Sequence, residues 1–256
     1  MPARASKYDE RFDPNLWKEF DAVLFDLDGV LTDTASIHSR AWKTVFDEFL
    51  ARRAAAAGSD FVPFQIETDY LLHVDGRPRF EGVDQFLRSR GIHLPWGSRD
   101  DHPGESTVCA VGNRKNDLVG SILREEGVEA YPGSLDLLRH LAADGKPMAV
   151  VTSSANAAAV LKAAGIAEMF DVMVDGNVAT ELELRGKPHP DPFLEAARRL
   201  GAPPERAVVI EDAISGVEAG RAGGFGLVIG VDRHGDAEAL KRAGADVVVT
   251  DLAELV

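Results

Sequence analysis

The stretch Asp21–Thr34, DAVLFDLDGVLTDT, decides the fold. Ala22 to Phe25 is a short continuous apolar run, the pattern of a strand buried on both faces of a parallel sheet. It ends on two carboxylates two residues apart, Asp26 and Asp28, and Gly29 follows at once. Carboxylates beside a buried strand are costly unless paired, hydrogen-bonded or bound to a cation, and two so close repel each other. Their positive partner has to come from a distant side chain, a metal ion, or both.

Further along, Pro147–Val151, Asp171–Val174, Ala207–Ile210, Phe225–Ile229 and Asp246–Val249 read as strands of the same kind. Helical patterns lie between them. Ser134–Ala143 places Leu135, Leu138 and Leu141 at three-residue spacing with Gly145 as a stop, and Pro192–Leu200 puts Phe193, Ala196, Ala197 and Leu200 on one side with Gly201 after it. Strands alternating with helices predict an α/β fold, a parallel sheet covered on both faces. The stretch 36–126 breaks this rhythm: the helical run SIHSRAWKTVFDEFLARRAAAA is followed by less regular polar segments and no clear buried strand. It predicts a second, mostly helical domain at 36–127, inserted into a core made of 20–35 and 128–256. Its connections would be the residues after Thr32 and the segment Ala130–Gly133. Residues 1–19 lack periodicity and read as a partly ordered leader. AGGFG, Ala222–Gly226, lies between a helix and a strand, the wrong order for a nucleotide loop, and reads as a helix cap with turn glycines.

Composition narrows the possible functions. The 256 residues are 45% hydrophobic and 27% charged, enough for a sizeable core, and no apolar stretch approaches the ~20 residues of a membrane helix. The formal net charge of −14 disfavours nucleic acid as a partner, since that needs clustered Lys and Arg. One cysteine, Cys109, excludes an internal disulfide, and with no secretory segment at the start a cytoplasmic location is the default expectation. A monomer is expected, because no apolar helix face is left unassigned.

Three of the apolar runs stop on polar groups: Asp26, Thr152, and Glu211 with Asp212. In open parallel sheets ligands bind beyond the carboxyl ends of the strands, so these groups can converge, and Lys187 in RGKPHPD offers positive charge. Each has a plain structural alternative: turn aspartates, a helix-capping Thr152, a solvated Lys187, and a helix N-terminus at Glu211–Asp212. Jointly they make a phosphoryl-transfer set. Asp26 is the nucleophile, and Mg2+ on Asp26 and Asp212 offsets the anion–anion repulsion, about 4 kcal/mol at ~4 Å and an effective dielectric near 20. Lys187 and the Thr152 hydroxyl hold phosphoryl oxygens, and Asp28 moves the proton at the leaving and attacking oxygens. Gly29 allows a tight turn and close approach to a ligand.

FDLDGVLTDT, the strand ending at Thr152, GKPHPD and VIEDAISGVEAG resemble the four motifs of the haloacid dehalogenase superfamily. The resemblance covers about 20–35 and 128–256. It implies a Rossmann-like sheet with the first strand central, flanked by the strands ending at Thr152 and Glu211. It also implies an aspartyl-phosphate on Asp26, Asp28 as acid and base, and magnesium on Asp26, Asp212 and the Asp28 carbonyl with Glu211 at or near it. DLDGVLTDTASIHSRAWK further resembles the β-phosphoglucomutase-like branch, which implies that Thr34, His38 and Trp42 line the cap side of the site. A helix packing face accounts for the spacing of His38 and Trp42 equally well. NRKND implies that Lys115 faces the site, and Ser153, Ser154 and Asn156 resemble the loop for a second phosphate, with Ala155 where a lysine is usual. Arg77 and Arg79 are both candidates for the distal phosphate. The implied activity interconverts β-glucose 1-phosphate and glucose 6-phosphate through a bisphosphate, under a lid that excludes water. A phosphatase of a small sugar phosphate, and a phosphosugar- or metal-binding module without turnover, are the alternatives.

Overall fold

Ala22–Phe25 is strand β1, and each of its four residues is fully buried. In the computed structural model, which describes residues 16–233 and 235–256, it is central in a six-stranded sheet. The other strands are β2 (Met148–Val151), β3 (Val172–Val174), β4 (Ala207–Glu211), β5 (Leu227–Val231) and β6 (Val247–Val249). All neighbours are parallel and the order is β3-β2-β1-β4-β5-β6. The register pairs Phe25 with Val150 on one side and with Ile210 on the other. The ends of β1, β2 and β4 therefore come level, as the α/β reading with a central first strand expects.

The chain divides into two compact units, the described residues of one being 16–33, 128–233 and 235–256 and those of the other 34–127. In the first, the sheet is interleaved with α5 (Pro132–Ala143), α6 (Ala157–Ala163), α7 (Gly176–Glu181), α8 (Asp191–Leu200), α9 (Ile214–Ala222) and α10 (Ala237–Ala243). One core cluster joins Leu24, Ala149, Val151, Val209 and Val228 to Phe193, Ala196 and Ala197 of α8 and to Val217 of α9. Each fully buried Val, Leu or Phe contributes roughly 1.5–3 kcal/mol.

Several sequence expectations need correction here. The inward face of α5 is Leu137, Leu138 and Leu141, with Leu135 half-buried, because the 3.6-residue turn brings i, i+1 and i+4 inward where a strict three-residue step drifts off the face. Phe225 precedes its strand instead of starting it, and packs edge-on against Phe193 at 6.0 Å. Residues 16–19, the described part of the segment read as a partly ordered leader, are ordered: Leu16 and Trp17 are buried, and the Trp17 indole donates to the Leu255 carbonyl at 3.1 Å. The rest of that leader, 1–15, lies outside the described residues.

The second unit contains no strand among its residues. Its α-helices are α1 (Ala35–Ala57), α2 (Leu71–His73), α3 (Arg79–Ser89) and α4 (Val108–Glu126), with a π-helical turn at Ile66–Tyr70 before α2. α1 ends where Gly58 adopts φ 64 and bonds back to Ala54 and Ala55. α4 begins where the Thr107 hydroxyl accepts from the Ala110 amide. An aromatic cluster of Trp42, Phe46, Phe64 and Phe86, with ring centroids 4.3–5.0 Å apart, forms its core. No described helix is long and apolar enough to cross a membrane.

Candidate active site

Main-chain bonds run one residue past the strands. The Asp26 amide donates to the Ile210 carbonyl at 2.9 Å and the Thr152 amide to the Val174 carbonyl at 3.0 Å, so both polar residues inherit the precision of the sheet. Lys187 reaches them from the loop between α7 and α8, where the Arg185 guanidinium donates two hydrogen bonds to Asp191 at 2.9 and 3.0 Å and its amide a third at 3.2 Å, tying the loop to the start of α8. Its ammonium is fully buried and uses all three donors: Asp26 Oδ1 at 2.5 Å, Glu211 Oε1 at 2.6 Å and the Val151 carbonyl at 3.1 Å. Asp26 and Lys187, 161 residues apart, are thus a buried ion pair with Glu211 as third member.

Burial alone would depress the Lys187 ammonium, but Asp26 and Glu211 outweigh it and hold the lysine above its ordinary value. Burial pushes the Asp26 carboxyl well above the usual carboxylate range against the pull of Lys187, and the Glu211 and Asp28 charges push it the same way. One lysine does not balance the acidic groups that meet here. Carboxylate oxygens of Asp26, Glu211 and Asp212 lie within 4.8 Å of one another, the cluster among the described residues able to close on one ion. Three hard oxygen donors on a site short of positive charge fit a cation such as magnesium. The Glu211 oxygens already accept from Lys187 and from the Ala213 amide, at 2.9 Å, whereas Asp212 projects from the start of the loop before α9. The Asp28 carboxylate is not part of this trio; its sequence assignment is through the main-chain carbonyl.

Asp28 is half-buried and takes the Thr152 hydroxyl at a long 3.5 Å. That hydroxyl also accepts from the Ser154 amide at 3.1 Å, a turn bond within the loop before α6, whose N-cap is Asn156 and not Thr152. Ser154 Oγ accepts from the Asn156 amide at 3.2 Å. Ser153, Ser154 and Asn156 thereby form a half-buried loop directly beyond β2. Gly29 has φ +87, and a Cβ there would fall 1.9 Å from Asp212 Oδ2. Only glycine lets the turn and the Asp212 carboxylate pack so closely.

The remaining candidates belong to the second unit. Lys115, buried on α4, lies 3.0 Å from His38 Nδ1 and 5.0 Å from the centre of the Trp42 ring. An ammonium donor makes Nδ1 the acceptor and puts the imidazole proton on Nε2. His38 and Trp42 of α1 and Lys115 of α4 therefore form one cluster, and Thr34 is buried at the head of α1. Arg79, the first residue of α3, lies with its guanidinium 4.6 Å from the Phe80 ring centre, and its buried Nε has no hydrogen-bond partner among the described residues. Gly112 of α4 makes room for this pair, since a Cβ there would meet Phe80 at 2.7 Å and Arg79 at 3.2 Å. Burial, and then the neighbouring Arg99, lower the Arg79 pKa. Arg77 is half-buried in the turn before α3 and is not joined to this arrangement.

Sequence reasoning missed Tyr131 and Arg233. Tyr131 sits where the chain returns from the second unit, and the Arg233 guanidinium stacks 3.9 Å from its ring centre. Neither belongs to a recognisable motif. Tyr131 lies in the Ala130–Gly133 segment read as a connection, and nothing in that segment points to the arginine that stacks on it.

Residues 20–224 match the family model of the haloacid dehalogenase-like hydrolases. A β-phosphoglucomutase of Mycobacterium bovis is 51% identical over 92% of this chain and 91% of its own length. Hexitol phosphatase A of Escherichia coli is 31% identical over 91% of this chain and 91% of its own. Among solved structures, a β-phosphoglucomutase from Clostridium difficile superimposes with a TM-score of 0.72 at 27% identity, covering 93% of each chain.

Proposed function

The chain belongs to the haloacid dehalogenase-like hydrolase family, and from that membership and the site above we propose a magnesium-dependent β-phosphoglucomutase that interconverts β-glucose 1-phosphate and glucose 6-phosphate. The observation that carries the reading is Asp26, held at the end of the central strand by the buried Lys187 and within reach of Glu211 and Asp212. The similarity to the Mycobacterium bovis enzyme supports the substrate.

In this reading Asp26 attacks phosphorus, its carboxylate oxygen gains the P–O bond, and the bond from phosphorus to the sugar oxygen breaks. Asp28 gives its proton to that leaving oxygen and later takes one from the attacking sugar hydroxyl, so one group serves both directions. Phosphoryl transfer from Asp26 to the 6-hydroxyl of β-glucose 1-phosphate yields the 1,6-bisphosphate. Return of the 1-phosphoryl group to Asp26 then releases glucose 6-phosphate. Lys187 fixes the Asp26 oxygen and carries part of the charge in transit, and the Thr152 hydroxyl orients Asp28. Held by Asp26, Asp212 and the Asp28 carbonyl with Glu211 beside it, magnesium would neutralise the charge that otherwise repels a phosphate dianion. Arg79, with its unpartnered Nε, is preferred to Arg77 for the second phosphate. His38, set by Lys115, would line the cap side of the site as the family resemblance implies, and Ser153, Ser154 and Asn156 offer further donors.

A phosphatase of a small sugar phosphate is the second reading, favoured by the similarity to hexitol phosphatase A. Water in place of the sugar hydroxyl converts one into the other. Phosphorus NMR of the protein with magnesium, β-glucose 1-phosphate and a trace of the 1,6-bisphosphate separates them. Glucose 6-phosphate without inorganic phosphate is expected. Stoichiometric inorganic phosphate would replace the mutase by the phosphatase, and absence of both would remove this substrate.

A further inference from the structure

The turn that carries Asp28 is held carbonyl by carbonyl. The Leu27 carbonyl accepts from the Leu31 and Thr32 amides at 2.9 and 3.1 Å, and the Thr32 carbonyl from the Gly29 amide at 2.9 Å. The Val30 carbonyl accepts from the Ser134 hydroxyl at 2.6 Å and the Leu31 carbonyl from the Tyr131 amide at 3.0 Å. The Gly29 carbonyl accepts from a charged side chain 204 residues away: Arg233 Nε donates to it at 2.7 Å. Arg233 is itself fixed twice more, by Nη1 donating to the Thr250 carbonyl at 3.2 Å and by its stacking on Tyr131. Tyr131 in turn donates its hydroxyl to Asp33 Oδ1 at 3.1 Å, and burial and then Asp33 keep that phenol protonated well above its ordinary range.

We propose that Arg233 is a positioning residue for the Asp28–Gly29 turn, clamping the Gly29 carbonyl between the end of β6 and the Tyr131 ring. The reason it bears on chemistry is the packing of Gly29 against Asp212, where no room for a methyl group is left. Rotation of the Gly29 peptide therefore disturbs Asp212 as well as Asp28. Without Arg233 the carbonyl loses a charge-assisted bond, and the turn is free to rotate toward water or another donor. A displacement approaching 1 Å at a reacting group is enough to cost about 100-fold in rate. Planarity matters: one flat guanidinium can donate to Gly29 and Thr250 while lying on the ring, which a lysine cannot do.

The catalytic meaning of this clamp rests on the function proposed above, so the test pairs kinetics with a readout independent of activity. Hydrogen exchange of the segment 26–33 and steady-state kinetics are measured for Arg233→Ala, Arg233→Lys and Tyr131→Phe. Arg233→Ala is expected to raise exchange within 26–33 at least about 10-fold with β2 and β3 unchanged. It should lower kcat about 10-fold or more while KM stays within about two-fold. Arg233→Lys should fall between it and the parent, and Tyr131→Phe, which keeps the ring, should stay near the parent in both. Unchanged exchange in 26–33 for both Arg233 variants overturns the proposal. So does a uniform rise across the whole first unit with kcat falling only in step with melting temperature, which is the mark of a general structural role. A parent protein without phosphoryl-transfer activity removes the function proposed above and leaves exchange to decide for or against the clamp.

Discussion

Replacing Lys187 with methionine keeps much of the side-chain volume and deletes one buried charge. The ammonium lies 2.5 Å from Asp26 and 2.6 Å from Glu211. At an effective dielectric near 20 each contact is worth about 6.5 kcal/mol of attraction. The carboxylates, with oxygens within 4.8 Å, repel each other by about 3.5 kcal/mol or more on the same scale. Desolvation of three buried charges returns most of the attraction in the parent, but the variant keeps the desolvation and the repulsion with nothing to oppose them. Breaking such a pair costs about 3–5 kcal/mol at neutral pH, a fall of about 10 °C in the melting temperature of the unit that contains it. The pH dependence has a definite sign. Burial already raises the Asp26 pKa, and loss of Lys187 raises it further. A carboxyl with a raised folded pKa contributes stability below its unfolded pKa and loses it as pH rises through the folded one. The deficit of Lys187→Met should therefore shrink between pH 7.5 and pH 5, and added magnesium at pH 7.5 should recover part of it. Urea unfolding at both pH values measures this. A deficit below about 1 kcal/mol, or one equal at the two pH values, would refute the charge argument.

Gly29→Ala forces a methyl group onto Asp212 at a left-handed φ of +87, and is expected to lower kcat about 100-fold with the fold retained by circular dichroism. Arg79→Ala should raise KM for the sugar phosphate about 10- to 100-fold, the value of a hydrogen bond to a charged group. Hydrolysis of p-nitrophenyl phosphate, which has no second anionic group, should be unaffected. Glu195 accepts from Arg198 and Arg199, which hold its carboxyl at about 2 against an ordinary glutamate value of 4.5. The stability this confers is present above pH 4.5 and lost as pH falls toward 2. The arginines are partly exposed, so parent and Glu195→Gln should differ by less than about 1 kcal/mol at pH 7. Acid titration should show that difference vanish by about pH 2.

The sequence by itself determined the order of the elements and the chemistry available. Continuous apolar runs such as AVLF and AVVI can be stable only where both sheet faces are covered, so the α/β class and five further strands beside β1 were legible from local pattern. Asp26, Thr152, Glu211 and Asp212 were legible too, because a strand end is a place where a polar residue interrupts an apolar run. Which part of the leader is ordered was not legible at Leu16 and Trp17, since a single short turn has no periodicity and its partner, Leu255, lies at the far end of the chain. Tertiary structure alone decided which groups touch. A strand order that brings β2 and β4 to either side of β1 set Asp26 beside Lys187 and Glu211. Packing set the Arg79 guanidinium against the Phe80 ring beside Gly112. The Gly29 carbonyl found Arg233 across 204 residues. Local patterns record how each residue is solvated, whereas hydrogen bonds and ion pairs between distant segments depend on register and loop closure, which no short window of sequence contains.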